Sequence, residues 1–126
     1  MSQTVVVLKD KKQQPVPSVW RNTISEIVEA FKGGDFALSR GINGVRPISK
    51  DDAAGIEEDI QDYGAELVSL PEETWNTSVC QWYGQHWDVM VDLYTMDEGS
   101  CDLVLQLRVS EEAGGYIFEV HLVYVP

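Results

Sequence analysis

The stretch Trp87-Asp88-Val89-Met90-Val91-Asp92-Leu93-Tyr94 decides how this chain is read. Apolar residues stand at every second position, which is the period of a strand with one buried face. Leu103-Val104-Leu105-Gln106-Leu107-Arg108-Val109 repeats the pattern, and Phe118-Glu119-Val120-His121-Leu122 repeats it again. Working outward, four main strands are expected over about residues 75–83, 86–95, 101–110 and 116–125. Gly84-Gln85, Met96-Asp97-Glu98-Gly99 and Glu111-Glu112-Ala113-Gly114-Gly115 read as the hairpin turns between them. Short turns between alternating strands give an antiparallel meander.

Upstream the period becomes that of a helix. Trp20, Ile24, Ile27, Val28 and Phe31 recur at helical spacing after Ser18, which is placed to cap, and Gly33-Gly34 stops the run. A second helix is expected from Ser49, with Asp51 and Asp52 in the first turn, where the helix dipole favours anions. Ala53, Ile56, Ile60 and Tyr63 form its apolar stripe before Gly64. Two helices followed by a meander specify an α+β fold, with the helices on one face of a curved antiparallel sheet and short edge strands beside the main four. Residues 1–15 are expected to be a short strand, centred on Thr4–Leu8, or a mobile arm. Residues 16–126 then form a single α+β domain.

Alternation also sorts the two faces of the sheet. Trp87, Val89, Val91, Leu93, Leu103, Leu105, Leu107, Val109, Phe118, Val120, Leu122 and Tyr124 are expected to face the helices. The opposite face then carries Trp75, Tyr83, Met90 and Tyr94 with Val79, Ile117 and Val123, among the polar Asp88, Asp92, Arg108, Glu119 and His121. Turn lengths place Asp88 across from Arg108 and put Asp92, Val104 and His121 in one row. A cross-strand Asp–Arg pair is ordinary stabilisation, worth roughly 0.2–1 kcal/mol.

Asp88, Asp92 and His121 are the catalytic candidates, as a carboxylate-assisted histidine. Strands two apart are separated by roughly 9–10 Å at the backbone, whereas a metal draws its ligands to within about 2.0–2.3 Å. No metal and no cofactor is therefore expected, and the reading leans away from an enzyme. Trp75, Tyr83, Met90, Tyr94, Arg108 and Glu119 form the candidate binding surface. They bring more apolar area than a wet sheet face ordinarily carries, in the mixture found at protein interfaces or concave ligand pockets.

Composition narrows the partners. The chain has 126 residues, of which 44% are hydrophobic and 24% charged, the balance of one globular domain. Its net charge is −12 and unevenly spread. Residues 1–50 hold eight of the nine basic residues and four acids, a balance of +4, while residues 51–126 hold Arg108 and 17 acids, a balance of −16. Nucleic acid and anionic membranes would be repelled by such a surface; a basic protein would be drawn to it. No apolar run approaches the roughly 20 residues of a membrane span. Met1 to Leu8 has no positive leader region, so a cytoplasmic location is expected. Cys80 and Cys101 are too few for a disulfide framework, and neither has a neighbouring base. No nucleophile elbow, phosphate loop, zinc-protease pair or dinucleotide fingerprint is present.

Together these features predict an acidic, non-enzymatic protein-interaction module, in its most concrete form an inhibitor or immunity-type protein that neutralises a basic toxin. The alternative is a small-molecule-binding or enzymatic domain that uses the open face of the sheet. A homodimer through that same face is a further expected partner.

Two resemblances bear on this. Glu72-Glu73-Thr74-Trp75, Ser78-Val79-Cys80-Gln81-Trp82, His86-Trp87-Asp88-Val89, Asp102-Leu103-Val104-Leu105 and the ending Val120-His121-Leu122-Val123-Tyr124-Val125-Pro126 resemble a small bacterial domain family of unknown function, over roughly residues 16–126. That resemblance implies no activity. Helix, Gly33-Gly34-Asp35-Phe36, helix and meander is similar to the nuclear-transport-factor-2-like and cystatin-like α+β cones. Such a resemblance implies a curved sheet that dimerises or binds small molecules on its concave side. Those cones usually have three helices against two here, and their catalytic groups line the interior, so no residue role carries over.

Overall fold

Residues 7–64 and 66–126 are described by the computed structural model of the chain. The helical period yields α1 (Ser18–Lys32), whose Trp20, Ile24, Ile27, Val28 and Phe31 are all buried. Pro17 occupies its cap position without a side-chain bond, so Ser18 is the first helical residue and not the cap. In α2 (Lys50–Tyr63) the expected cap forms, with the Asp52 N–H donating to Ser49 Oγ at 3.2 Å. The intervening loop is held at Asp35, whose carboxylate accepts from the Ser39 hydroxyl, the Ser39 N–H and the Arg40 N–H. Those bonds, the Ser39 hydroxyl foremost, keep the Asp35 carboxyl below its ordinary pKa.

The sheet has five strands, not four, in the order β1 (Gln14–Pro15), β2 (Val79–Trp82), β3 (Trp87–Thr95), β4 (Gly99–Glu112) and β5 (Gly115–Tyr124). Every neighbouring pair is antiparallel. The extra strand comes from the segment read as a turn or arm: Gln14 and Pro15 pair with Cys80 and Val79. Pro15 cannot donate to a ladder, which confines this strand to the sheet edge. Of the run expected as a strand at Thr4–Leu8, residues 4–6 lie outside the described residues, and Val7 and Leu8 are not in a strand. The remainder of the arm is tied to the sheet. Trp87 Nε1 donates to the Leu8 carbonyl at 3.1 Å, and Gln81 Nε2 donates to the Lys11 carbonyl at 2.6 Å.

Two hairpins are set by their turn residues. Gly84-Gln85 joins β2 to β3, with Gly84 at φ 90°, the first-position glycine of a II′ turn. Ala113-Gly114 joins β4 to β5 with φ of 50° and 81°, positive at both central residues as a I′ turn requires. The helix-facing side of the sheet then packs as alternation predicts over β3 and β4. Trp87, Val89, Val91, Leu93, Leu103, Leu105, Leu107 and Val109 are all buried against α1 and α2. Trp20 meets Trp87 at 5.2 Å between ring centroids and Phe118 at 6.2 Å, both edge-on.

Alternation fails on β5. The register shifts by one between Gln106 and Leu107, leaving His121 as the extra residue of a β-bulge. Side chains beyond it therefore change sides. Val123, expected on the open face, pairs with Leu105 and is fully buried; Leu122 and Tyr124, expected in the core, pair with Gln106 and Val104 on the opposite face.

Candidate functional site

The helix-free face of the sheet is built from two rows that cross four strands. One row is polar and mostly charged: Gln81, Asp88, Arg108 and Glu119 stand side by side on β2, β3, β4 and β5. Asp88 and Arg108 are partners as expected, with Arg108 Nε 3.7 Å from Asp88 Oδ1. His86, at the tip of the first hairpin, places Nε2 3.2 Å from the same oxygen, and Tyr83 stacks on its ring at 6.2 Å. At the far end Arg46 comes in from the loop before α2, with its Nε 3.6 Å from Glu119 and a guanidinium nitrogen 3.5 Å from Glu112. This loop is pinned there by two backbone bonds, Phe118 N–H to the Gly44 carbonyl and Arg46 N–H to the Phe118 carbonyl.

The second row is mostly apolar: Val79, Met90, Gln106 and Leu122. All four are half-buried. Tyr94 and Tyr124 extend this stripe along the strands, with Val104, almost fully buried, between Asp92 and Tyr124. Mixed aliphatic, thioether and aromatic surface beside alternating charges is the composition that protein interfaces share.

The structure brings some expected residues together and separates others. Met90 and Tyr94 lie on the stripe, and Arg108 and Glu119 on the charged row. Tyr83 is at the hairpin tip, 55% exposed. Trp75 is not on this face. Instead of opening a strand, residues Glu72–Asn76 form a 3-10 turn, and the Trp75 ring is buried on the helix side with the Arg21 guanidinium 5.5 Å from its centroid. Local polar side chains account for the change. Thr74 Oγ1 donates to the Asp92 carbonyl, and the Asp92 N–H donates to Ser78 Oγ at 3.0 Å. Side chains thus replace the ladder bonds a strand would have made. A signal for this was present: Pro71 followed by Glu72 and Glu73 is a helix-start pattern.

The three catalytic candidates do not converge. Asp88 is engaged with His86 and Arg108, while the Asp92 carboxylate accepts from the Thr77 hydroxyl at 2.5 Å. The expected row of Asp92, Val104 and His121 ends in Tyr124 instead, because the bulge displaces His121, which is exposed. Among the described residues, no group of three or more His, Cys, Asp or Glu side chains is placed to hold a metal ion. Neither cysteine is an activated thiol. Burial pushes Cys80 up to about 11 and also raises Cys101. No described helix is long and apolar enough to cross a membrane.

Leu122 and Tyr124 are the surface residues that alternation missed, and no turn or glycine near His121 announces the bulge. No curated protein and no solved structure matches this chain. A family model described as a domain of unknown function, DUF7668, matches residues 28–126, from the last turns of α1 through the whole sheet apart from β1, and the chain belongs to that family.

Proposed function

We propose that this chain is a non-enzymatic protein-interaction module that presents the helix-free face of its sheet to a protein partner. What supports the reading most is the stripe of Val79, Met90, Gln106 and Leu122 across four strands, continued by Tyr94 and Tyr124. None of these six is enclosed in the core, although five are apolar or aromatic. Four adjacent strands span roughly 14 Å at the usual inter-strand spacing, enough width to seat a helix or a second sheet. The partner's charge is argued from the −16 balance of residues 51–126, which favours a basic surface. An inhibitor or immunity-type protein acting on a basic toxin is the finer form of this proposal, in a bacterial cytoplasm.

The test is capture from native lysate by the wild-type chain and by Met90→Glu/Tyr94→Glu. Both positions are half-exposed, so the variant is expected to keep the wild-type circular dichroism spectrum. A partner retained by the wild type and lost by the variant supports the reading. Equal capture by both proteins would overturn it.

A further inference from the structure

The end of α2 carries negative charge where a helix tolerates it least. Asp62 lies in the last turn and Asp59 three residues earlier on the same side, with no basic residue in that turn. The helix dipole already makes this end negative. Among the described residues, no cationic group lies within 4.0 Å of either carboxylate. Among the described residues no ion pair therefore offsets an arrangement that costs α2 stability.

Beside these acids the end of the sheet leaves a cleft of about 350 Å³, lined by Asp59, Asp62, Tyr63, Leu103, Tyr124 and Val125. The Tyr63 oxygen accepts from the Asp102 N–H at 3.1 Å, which fixes one wall against β4. Apolar and aromatic walls with two carboxylates at the rim suit a cationic head on an aliphatic stem. The head would meet the carboxylates and the negative helix end, while the stem would lie along Tyr63, Tyr124 and Val125. A planar guanidinium fits better than an ammonium, since it can pair with carboxylates through two parallel bonds and stack on a tyrosine ring. Tyr124 belongs both to this cleft and to the apolar stripe, so the two are parts of one continuous surface.

We infer that this cleft is the docking site for an arginine side chain of a basic protein partner, anchoring that partner at one end of the stripe. The inference rests on the proposed interaction function and adds the partner's chemistry. Aromatic-lined pockets that take an arginine are typical of the few residues that dominate interface energy.

Tetra-arginine amide is the probe, titrated at low salt by calorimetry and by amide NMR shifts. Asp59→Asn/Asp62→Asn removes the rim charges. Asp51→Asn/Asp52→Asn removes the same number at the other end of the same helix, as a control for the general acidic field. The first pair is expected to weaken binding about fivefold or more, as loss of two exposed ion pairs implies, and the control less than about twofold. Shifts are expected at Leu103, Tyr124 and Val125. The melting temperature supplies an independent readout with opposite signs: it should rise in the Asp59/Asp62 variant and fall in the control. Equal weakening by both variants would overturn the arginine site while leaving the interaction module standing, because the general field alone then explains the attraction. No binding by the wild type would overturn both the site and the basic-partner part of the proposed function. A lower melting temperature in the Asp59/Asp62 variant would show that these acids serve the helix, and would also overturn the site.

Discussion

Ala113 is held at φ 50°, a left-handed conformation that costs a non-glycine residue roughly 1–2 kcal/mol. Asparagine enters this region more readily, and Asn-Gly is the preferred pair of a I′ turn. Ala113→Asn is therefore expected to stabilise the chain by about 0.5–1 kcal/mol in urea denaturation, and a loss of stability would contradict the turn assignment. In the core, Trp87 and Leu105 are both fully buried under the helices. Trp87→Ala should cost about 3–5 kcal/mol and Leu105→Ala about 2–5, and values under about 1 for both would mean that the helices lie on the other face. Cys80 gives a pH dependence. Its folded pKa, about 11, lies above the ordinary value of 9.0, so on raising the pH the unfolded chain loses the thiol proton first. The stabilisation is complete below about pH 9 and is lost as the pH climbs towards 11. Thermal melts at pH 8, 9.5 and 10.5 should show that decline attenuated in Cys80→Ala, measured against its own value at pH 8.

Among the elements, β5 carries the decisive irregularity. Leu107 pairs with Val120 and Gln106 with Leu122, so His121 is one residue more than the ladder needs. Deleting His121 is expected to leave every other pairing, and both faces of the sheet, unchanged. The deletion variant should fold with native-like tryptophan fluorescence and keep Val123 protected from hydrogen exchange. A deletion variant that fails to fold would show that the extra twist of the bulge is itself required to carry β5 along the end of α2.

At the scale of the whole molecule, a net charge of −12 repels itself. Raising the salt from 0.01 M to 0.15 M shortens the Debye length from about 30 Å to about 8 Å. The melting temperature should rise across that range, and a fall would mean that net attraction dominates the surface. Self-association through the open face would show the same trend. Any dimer detected by sedimentation should strengthen with salt and be abolished by Tyr94→Glu at every ionic strength.

The sequence by itself determined the class of the fold, because burial period depends only on local geometry: 3.6 residues in a helix and two in a strand. It determined the Ser49 cap and the two tight hairpins, which rest on residues close together in the chain; the Asp88–Arg108 pairing, expected from turn length, is reached only through a register shift between Asp92 and Tyr94. Tertiary structure alone decided the rest. Thr74 and Ser78 make a 3-10 turn because the backbone of Asp92, far along the chain, is there to bond them. Gln14–Pro15 becomes a strand only because β2 offers an open edge. The bulge at His121 redistributes Leu122, Val123 and Tyr124 between core and surface, since sheet curvature and helix packing, not local alternation, choose which side is buried. The acidic end of α2 was legible as a run of charged residues. Its meeting with Leu103, Tyr124 and Val125 in one cleft was not, because three separate elements have to be packed before that surface exists.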